Sequence, residues 1–310
     1  MGTSSRVNTE VELLALLDRI PAASGHPRTV EDLPGGLTNR NVKVTTPQGS
    51  VVVRISASDG ALLSIDRDHE HANSTAAARA GVGAPVVDYL RDDGVLVVGF
   101  LEGRTLGNAD LNDPAILPRV ADACRRLHAG PRFVNDFDMF EVQLRYLDVV
   151  RRNGFRLPDR YLEFMPVVDR IRGALGVRPL ATVPCNNDLL PENFIDDGER
   201  LWLIDYEYAG NNDPCFELGN IWSEADMPVD HLDALVGAYY GRPSPARVAR
   251  ARLFGLMSKF GWTLWASIQD GGRSADFDFW SWGMEKYDRA VAEFDGPDLE
   301  RLVEDVQGED

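Results

Sequence analysis

The chain has little cysteine, little positive charge and no long apolar run, and each shortage excludes something. Its three cysteines, Cys124, Cys185 and Cys215, form no C-x-x-C pair and leave an odd number. That fits a reducing compartment, with no disulfide framework and no structural zinc motif, and a cytoplasmic location is expected. No stretch approaches the roughly 18 uninterrupted apolar residues of a membrane span. The start, M-G-T-S-S-R-V-N-T-E-V-E, is polar and lacks the apolar segment of an export leader, so a soluble, unexported protein is expected. Lys and Arg number 32 against 49 Asp and Glu, giving a net charge of −17 that repels nucleic acid and anionic membrane surfaces. Neither is expected as a partner, whereas a small cation is attracted. Repeats, low-complexity tracts and long linkers are also absent, and the tail V-E-D-V-Q-G-E-D reads as a frayed acidic end.

What is present is enough apolar sequence, 44% of the residues, to bury a large core in one or two domains. The chemistry concentrates between Cys185 and Asn220: C-N-N-D-L-L-P-E-N-F-I, a turn, L-W-L-I-D-Y-E-Y, then N-D-P-C-F-E-L-G-N. Phe194 to Asp196 and Leu201 to Ile204 are short apolar runs around Asp197-Gly198-Glu199-Arg200, which reads as a β-hairpin. Folding it about its turn is expected to lay Asn193 opposite Asp205, about 5 Å apart by antiparallel pairing. Asp188 precedes Asn193 on a loop bounded by Pro184 and Pro191.

A hard cation such as Mg2+ takes oxygen ligands, one or two carboxylates together with waters and substrate phosphates, and Asn193 with Asp205 suits it. A loop carboxylate beside the ion, Asp188, is placed to accept a proton from an attacking hydroxyl. A bare D-x-x-x-x-N equally describes an ordinary hairpin whose Asn and Asp serve as turn residues. Its occurrence together with a turn and I-D-Y-E, in that order, is a specific pattern for phosphoryl transfer.

These runs resemble the choline and ethanolamine kinases, a branch of the aminoglycoside phosphotransferase group. The resemblance implies an α+β, bilobal protein-kinase-like fold, with ATP and Mg2+ as cofactors, Asp188 as catalytic base and Asn193 and Asp205 as metal ligands. It places Glu207, the second acid of D-Y-E-Y, near the metal or the substrate. Two positions depart from the family pattern. Asn186 stands where His is usual, and Glu217 where Asp is usual in F-D-L-G-N. In the family both support the catalytic loop.

Val11 to Ile20 has helical spacing, and a loop with Gly35 and Gly36 leads into two β-rich runs around Pro47-Gln48-Gly49-Ser50. Glycines there let backbone amides approach phosphates, although turns need glycine as well. G-G-L-T-N-R-N resembles the family's nucleotide loop, which implies nucleotide contacts from Gly35, Gly36, Thr38 and Asn39. Arg54 sits among valines in V-V-V-R-I-S, where simple alternation would also turn it to a solvated face. The resemblance instead implies that Arg54 reaches the nucleotide phosphates and pairs with Glu70 on a helix over 65–80. Two further strands, 85–89 and 95–101, lead to a hinge at Glu102-Gly103, and the resemblance gives Phe100 and Glu102 to the adenine site. The division expected is a small β-rich lobe over 1–101 and a larger helical lobe over 102–310.

The larger lobe reads as helices over 114–128, 140–153 and 161–175, and a helix from Phe216 carries Glu224. Between Arg252 and Gln269 an aliphatic stripe of Leu253, Met257, Phe260, Leu264 and Ile268 leaves Trp262 and Trp265 on a different face. Core packing against a second helix would cover such rings. A cation box would use them, since indole faces attract ammonium groups by about 2 kcal/mol when desolvated. F-G-W-T-L-W-A-S-I-Q and F-D-F-W-S-W-G-M-E-K-Y-D resemble the family's aromatic substrate segment. That resemblance implies Trp262, Trp265, Trp282, Tyr208 and Glu224 around a small cationic alcohol. The reading is an ATP-dependent kinase for choline or a related amino alcohol. Ethanolamine or an aminoglycoside as acceptor, or a non-catalytic nucleotide and amine binder, are the alternatives.

Overall fold

The computed structural model describes residues 9–34, 39–56, 60–63, 65–272 and 277–309. Thr9 opens helix α1 (Glu10–Leu17) with a capping box, its hydroxyl accepting from Glu12 N while the Glu12 carboxylate accepts from Thr9 N. The buried Leu13, Leu16 and Leu17 lie against a five-stranded antiparallel sheet. Its strands are β1 (Thr29–Leu33), β2 (Asn39–Thr46), β3 (Gly49–Ser56), β4 (Val86–Leu90) and β5 (Val95–Gly99), in the order β1-β2-β3-β5-β4. Helices α2 (Gly60–Leu63) and α3 (Arg67–Arg79) stand between β3 and β4. Asp66 caps α3 by accepting from the amides of Asp68 and His69. The leading helix, the hairpin, α3 and the two later strands match the expectations. β1 is an addition: its T-V-E-D-L carries acids along a largely exposed edge, so period-two burial does not mark it.

Alternation along β3 explains the arginine among the valines. Val51, Val53 and Ile55 bury toward α1, and Arg54 points from the opposite face. That face is not solvated, because Glu70 of α3 and Asp205 meet Arg54 there.

The larger, mainly helical part begins with β6 (Arg104–Thr105), α4 (Asn108–Leu111), α5 (Leu117–His128), α6 (Met139–Asn153) and α7 (Met165–Val177). The expected helix over 161–175 divides into a 3-10 turn, Tyr161–Phe164, and α7, which starts where Pro166 contributes no N–H. Then come β7 (Val183–Cys185), the hairpin β8 (Phe194–Asp196) and β9 (Leu201–Leu203), and β10 (Gly210–Asn212). Helices α8 (Pro214–Glu224), α9 (Val229–Tyr240), α10 (Pro245–Gly272), α11 (Phe279–Phe294) and α12 (Asp298–Asp305) complete the chain.

Helix α10 is buried on every side from Ala249 to Gln269 and forms the axis of this part. It crosses α8 at glycines: a Cβ on Gly219 would lie 2.0 Å from the Ala251 carbonyl oxygen, so no other residue fits. β6 pairs with β8, Arg104 opposite Asp196, and ties the segment after the small sheet to the β8–β9 hairpin. The amide of Leu203 donates to the carbonyl of Val82 at 2.9 Å, a further link between the two parts.

Candidate active site

Asp188 stands on a loop whose backbone is fixed by side chains from three directions. Asn186 and Asn187 donate their amides to the two oxygens of Glu217, each at 2.8 Å, and Leu189 donates to Asn220 Oδ1 at 2.8 Å. Both acceptors come from α8. The Asn186 side chain donates to the carbonyls of Ile204 at 3.1 Å and Asp205 at 2.8 Å, while its oxygen accepts from Asp188 N at 3.1 Å. Asn186, at the position where the sequence departs from the family's His, therefore binds the loop to the hairpin. Glu217, one methylene longer than Asp, spans both loop amides. Asn220 and the coupling role of Asn186 carry no local pattern of their own; only the contacts reveal them.

The hairpin register differs from the expectation by one residue. Phe194 pairs with Leu203, and the Ile204 amide donates to Asn193 O at 3.0 Å, so Asn193 faces Ile204 and not Asp205. Asp205 leaves the strand with φ 63°, in the left-handed region, at a cost of about 1–2 kcal/mol for a non-glycine residue. Asn193 donates its side-chain nitrogen to the carbonyl of Asp188 at 2.7 Å, which brings Asp188 and Asn193 to the same end of the hairpin as Asp205.

Arg54 reaches this end from the small sheet. Its Nε lies 3.1 Å from Glu70 Oε1, and its Nη2 lies 2.7 Å from Asp205 Oδ1 and 3.0 Å from Glu207 Oε2. These are charge contacts off the hydrogen-bonding direction. Arg67, which no sequence argument singled out, adds contacts to Glu70 Oε2 at 2.6 Å and Glu207 Oε2 at 3.1 Å. Asn39 donates to the same Glu207 oxygen at 2.9 Å. Two guanidinium groups thus meet three carboxylates. Burial works against the charge on Arg54, but Asp205, Glu70 and Glu207 more than offset it, so its pKa is raised well above the usual value. Asp205 is itself pushed up, by burial first and then by Glu207, with Arg54 opposing. Asp205 and Glu207, whose carboxylates meet at Arg54 Nη2, and Asn193 at the same hairpin end offer oxygens of the kind Mg2+ takes.

Asp188 carries a carboxyl pushed well above the ordinary range, chiefly by burial and then by repulsion from Glu224, Asp205 and Glu207, with Lys286 opposing. A raised pKa brings a carboxylate closer to what a general base at neutral pH requires.

The aromatic residues fall into two sets. Trp262 and Trp265 are buried, at 4% and 6% exposure, so their rings are core-packed in this conformation. Trp262 packs edge-on to Tyr208 at 4.9 Å, and Trp265 Nε1 donates to the Tyr208 hydroxyl at 2.8 Å. Trp282 is only partly buried and already carries a cation: Lys286 Nζ lies 4.3 Å from its ring centre and is ion-paired with Glu224. A cavity of about 230 Å³ opens there, bounded by Leu190 and Pro191 of the loop after Asp188 and by Ser223, Glu224, Lys259 and Lys286. A second cavity of about 270 Å³ borders Glu207, Tyr208, Asp138 and Glu141.

Of the residues given to the nucleotide, Gly35, Gly36 and Thr38 lie outside the described residues. Phe100 follows β5 with Lys43 Nζ 3.7 Å from its ring centre, and Glu102 is exposed at the start of the connection to β6. Among the described residues no helix is long and apolar enough to cross a membrane.

Known proteins resemble this chain in sequence and fold. The family model described as choline/ethanolamine kinase matches residues 30–234. Protein LicA of Haemophilus influenzae is 29% identical over 252 residues, covering 76% of this chain and 72% of that protein. A probable ethanolamine kinase of Arabidopsis thaliana is 25% identical over 293 residues, 84% of this chain and 78% of that one. The crystal structure of a choline/ethanolamine kinase family protein from Mesorhizobium loti superposes with a TM-score of 0.85 at 31% identity, covering 96% of this chain and 98% of that one. The fold is protein-kinase-like, with a small antiparallel-sheet lobe and a larger helical one.

Proposed function

Because the chain belongs to the choline/ethanolamine kinase family, whose members are phosphotransferases acting on an alcohol group, we propose that it transfers the γ-phosphoryl group of ATP to the hydroxyl of choline or a related amino alcohol. The observation that carries this reading is the convergence of Asp188, Asn193 and Asp205 at one hairpin end beneath Arg54.

Asp188 is the group that accepts the hydroxyl proton as the oxygen attacks. Burial and the neighbouring carboxylates that raise its pKa suit it to hold that proton. Glu217, Asn220 and Asn186 keep its backbone fixed, so the carboxylate is presented without reorganisation. Asn193, Asp205 and Glu207 would hold Mg2+. When bound, that ion neutralises charge on the phosphate oxygens. Arg54 of β3 is directed at the same point, with Arg67 beside it on Glu207, and its charge suits the phosphates of a nucleotide.

The test is ADP release with ATP, Mg2+ and a panel of amino alcohols. Release that depends on an amino alcohol, and falls by about 10²–10⁴-fold in Asp188→Ala, is expected. Tight ATP binding with no turnover on any member of the panel overturns the reading in favour of a non-catalytic binder.

A further inference from the structure

Lys286 stands where a substrate's ammonium group would be expected. Its Nζ lies over Trp282 and pairs with Glu224, the face and the carboxylate that would otherwise receive a cationic head. The cavity beside them borders the loop of Asp188, since it is bounded by Leu190 and Pro191, and both Glu224 and Lys286 act on the Asp188 carboxyl.

Three charged side chains at its walls are buried or nearly so: Glu224, Lys286 and Lys259. Lys286 neutralises Glu224. Lys259, 6% exposed, has its Nζ 4.6 Å from the ring centre of Trp222 and no carboxylate in ion-pair contact among the described residues. Burial and the neighbouring cations Lys286 and Arg252 lower its pKa, and the more distant charges of Glu293 and Glu224 offset this only in part, so an anion at Nζ would favour the ammonium form. Asp226 at the rim is paired with Arg289, and Glu192 and Glu285 are exposed to water. The buried side chains of the lining therefore carry one positive charge in excess, within a protein of net charge −17.

Two further atoms on the lining lack partners. Ser223 Oγ, in a residue 2% exposed, and Glu224 Oε1 make no hydrogen bond among the described residues. A buried hydroxyl and a buried carboxylate oxygen left this way are costly unless a ligand engages them. A quaternary ammonium donates no hydrogen bond, so it leaves Glu224 Oε1 unanswered, and it finds the Trp282 face taken. A protonated primary amine can donate to Glu224. An anionic group can accept from Lys259 and Ser223.

We propose that the acceptor is an amino alcohol that also carries an anionic group, a carboxylate or a phosphate ester, bound by Lys259 and Ser223 while its N–H donors meet Glu224. At about 230 Å³ the cavity admits only a small molecule of this kind. The inference rests on the phosphotransfer reading, because it takes the cavity beside Asp188 to be the acceptor site.

The experiment measures ADP release by the full chain with ATP and Mg2+. Acceptors are choline, ethanolamine, serine and homoserine for the carboxylate arm, and glycerophosphoethanolamine for the phosphate arm. At least one anionic acceptor is expected to exceed choline tenfold in kcat/KM. Lys259→Met should reduce that preference at least tenfold, through KM, with Lys259→Arg retaining most of it. Ser223→Ala, a smaller change, should reduce it in the same direction, so the outcome does not hinge on the folding of Lys259→Met. Lys286→Met, which unpairs Glu224, should shift preference toward choline. Choline preferred over every anionic acceptor by the wild type, or an unchanged preference in both the Lys259→Met and Ser223→Ala variants, overturns the proposal and leaves phosphotransfer standing. If no acceptor yields ADP, phosphotransfer falls, and calorimetric titration with homoserine decides. Heat lost in Ser223→Ala and Lys259→Met supports the anion site; no heat with the wild type overturns it.

Discussion

Asn186 Nδ2 donates to the carbonyl of Asp205 at 2.8 Å, so the loop bearing Asp188 and the hairpin bearing Asp205 are coupled through one amide side chain. The same side chain also holds Ile204 O and Asp188 N. Asn186→Ala leaves these three partly buried groups unpaired and is expected to destabilise the protein by about 3 kcal/mol or more, at about 1–3 kcal/mol for each unsatisfied group. Because a small misplacement of reacting groups is costly, kcat should fall by about 10- to 100-fold. Urea unfolding together with steady-state kinetics measures both; full activity in a variant of normal stability would refute the coupling.

Asp188→Asn should separate activity from stability. Burial first, and then Glu224, Asp205 and Glu207, raise the Asp188 pKa, so folding with that carboxyl ionised is penalised at neutral pH. A neutral amide of the same shape removes the penalty. The variant is expected to lose about 10²–10⁴-fold in kcat and to melt at a higher temperature than the wild type in metal-free buffer at pH 7. The gain should shrink as pH falls from the raised folded value toward the ordinary carboxylate range, and vanish below that range, where the wild-type group is protonated in both states.

Arg54→Met removes the guanidinium from between Glu70, Asp205 and Glu207. An uncompensated buried charge costs about 3–5 kcal/mol, so a large fall in melting temperature is expected. Millimolar Mg2+ should recover part of it if the carboxylates can bind the ion instead, and thermal melts across a MgCl2 series measure this. A melting temperature indifferent to the substitution contradicts the charge balance described for this site.

The hairpin turn supplies a pH prediction. Asp197 accepts from the amide of Arg200, then from Trp202 Nε1 and the amide of Glu199, and its pKa is lowered to about 2. A depressed carboxylate contributes stability above its unfolded value, near 4, and loses it as pH falls through its folded value. The indole N–H resonance of Trp202 should therefore hold its position down to about pH 3 and shift below it. In Asp197→Asn that titration should vanish.

Much of the catalytic stretch was legible in sequence because its parts are neighbours: Asp188, Asn193 and Asp205 fall on one loop and one hairpin, and short-range pairing brings them together. The error of one residue in the Asn193 pairing arose where the strand ends, because Asp205 turns into the left-handed region instead of extending the ladder. Contacts between distant segments were less accessible. Alternation put Arg54 on one face of β3, but nothing local says that residues 205 and 207 lie against that face. Arg67 gave no signal at all. The tryptophan pair on α10 was correctly separated from the aliphatic stripe, yet that helix is enclosed on all sides, so a distinct face did not mean an open one. Lys286, 62 positions from Glu224, looked like any other charged residue of an amphipathic helix.

The glycine contact between α8 and α10 gives the larger lobe a short lever. Glu217 and Asn220, which anchor the loop of Asp188, flank Gly219 on the helix that α10 touches with its backbone. A single added methyl group would force the helices apart, and that shift would arrive at the catalytic loop before it reached any ligand. Tolerance to change is thus narrow at Gly219, a position set behind the loop of Asp188 and not on it.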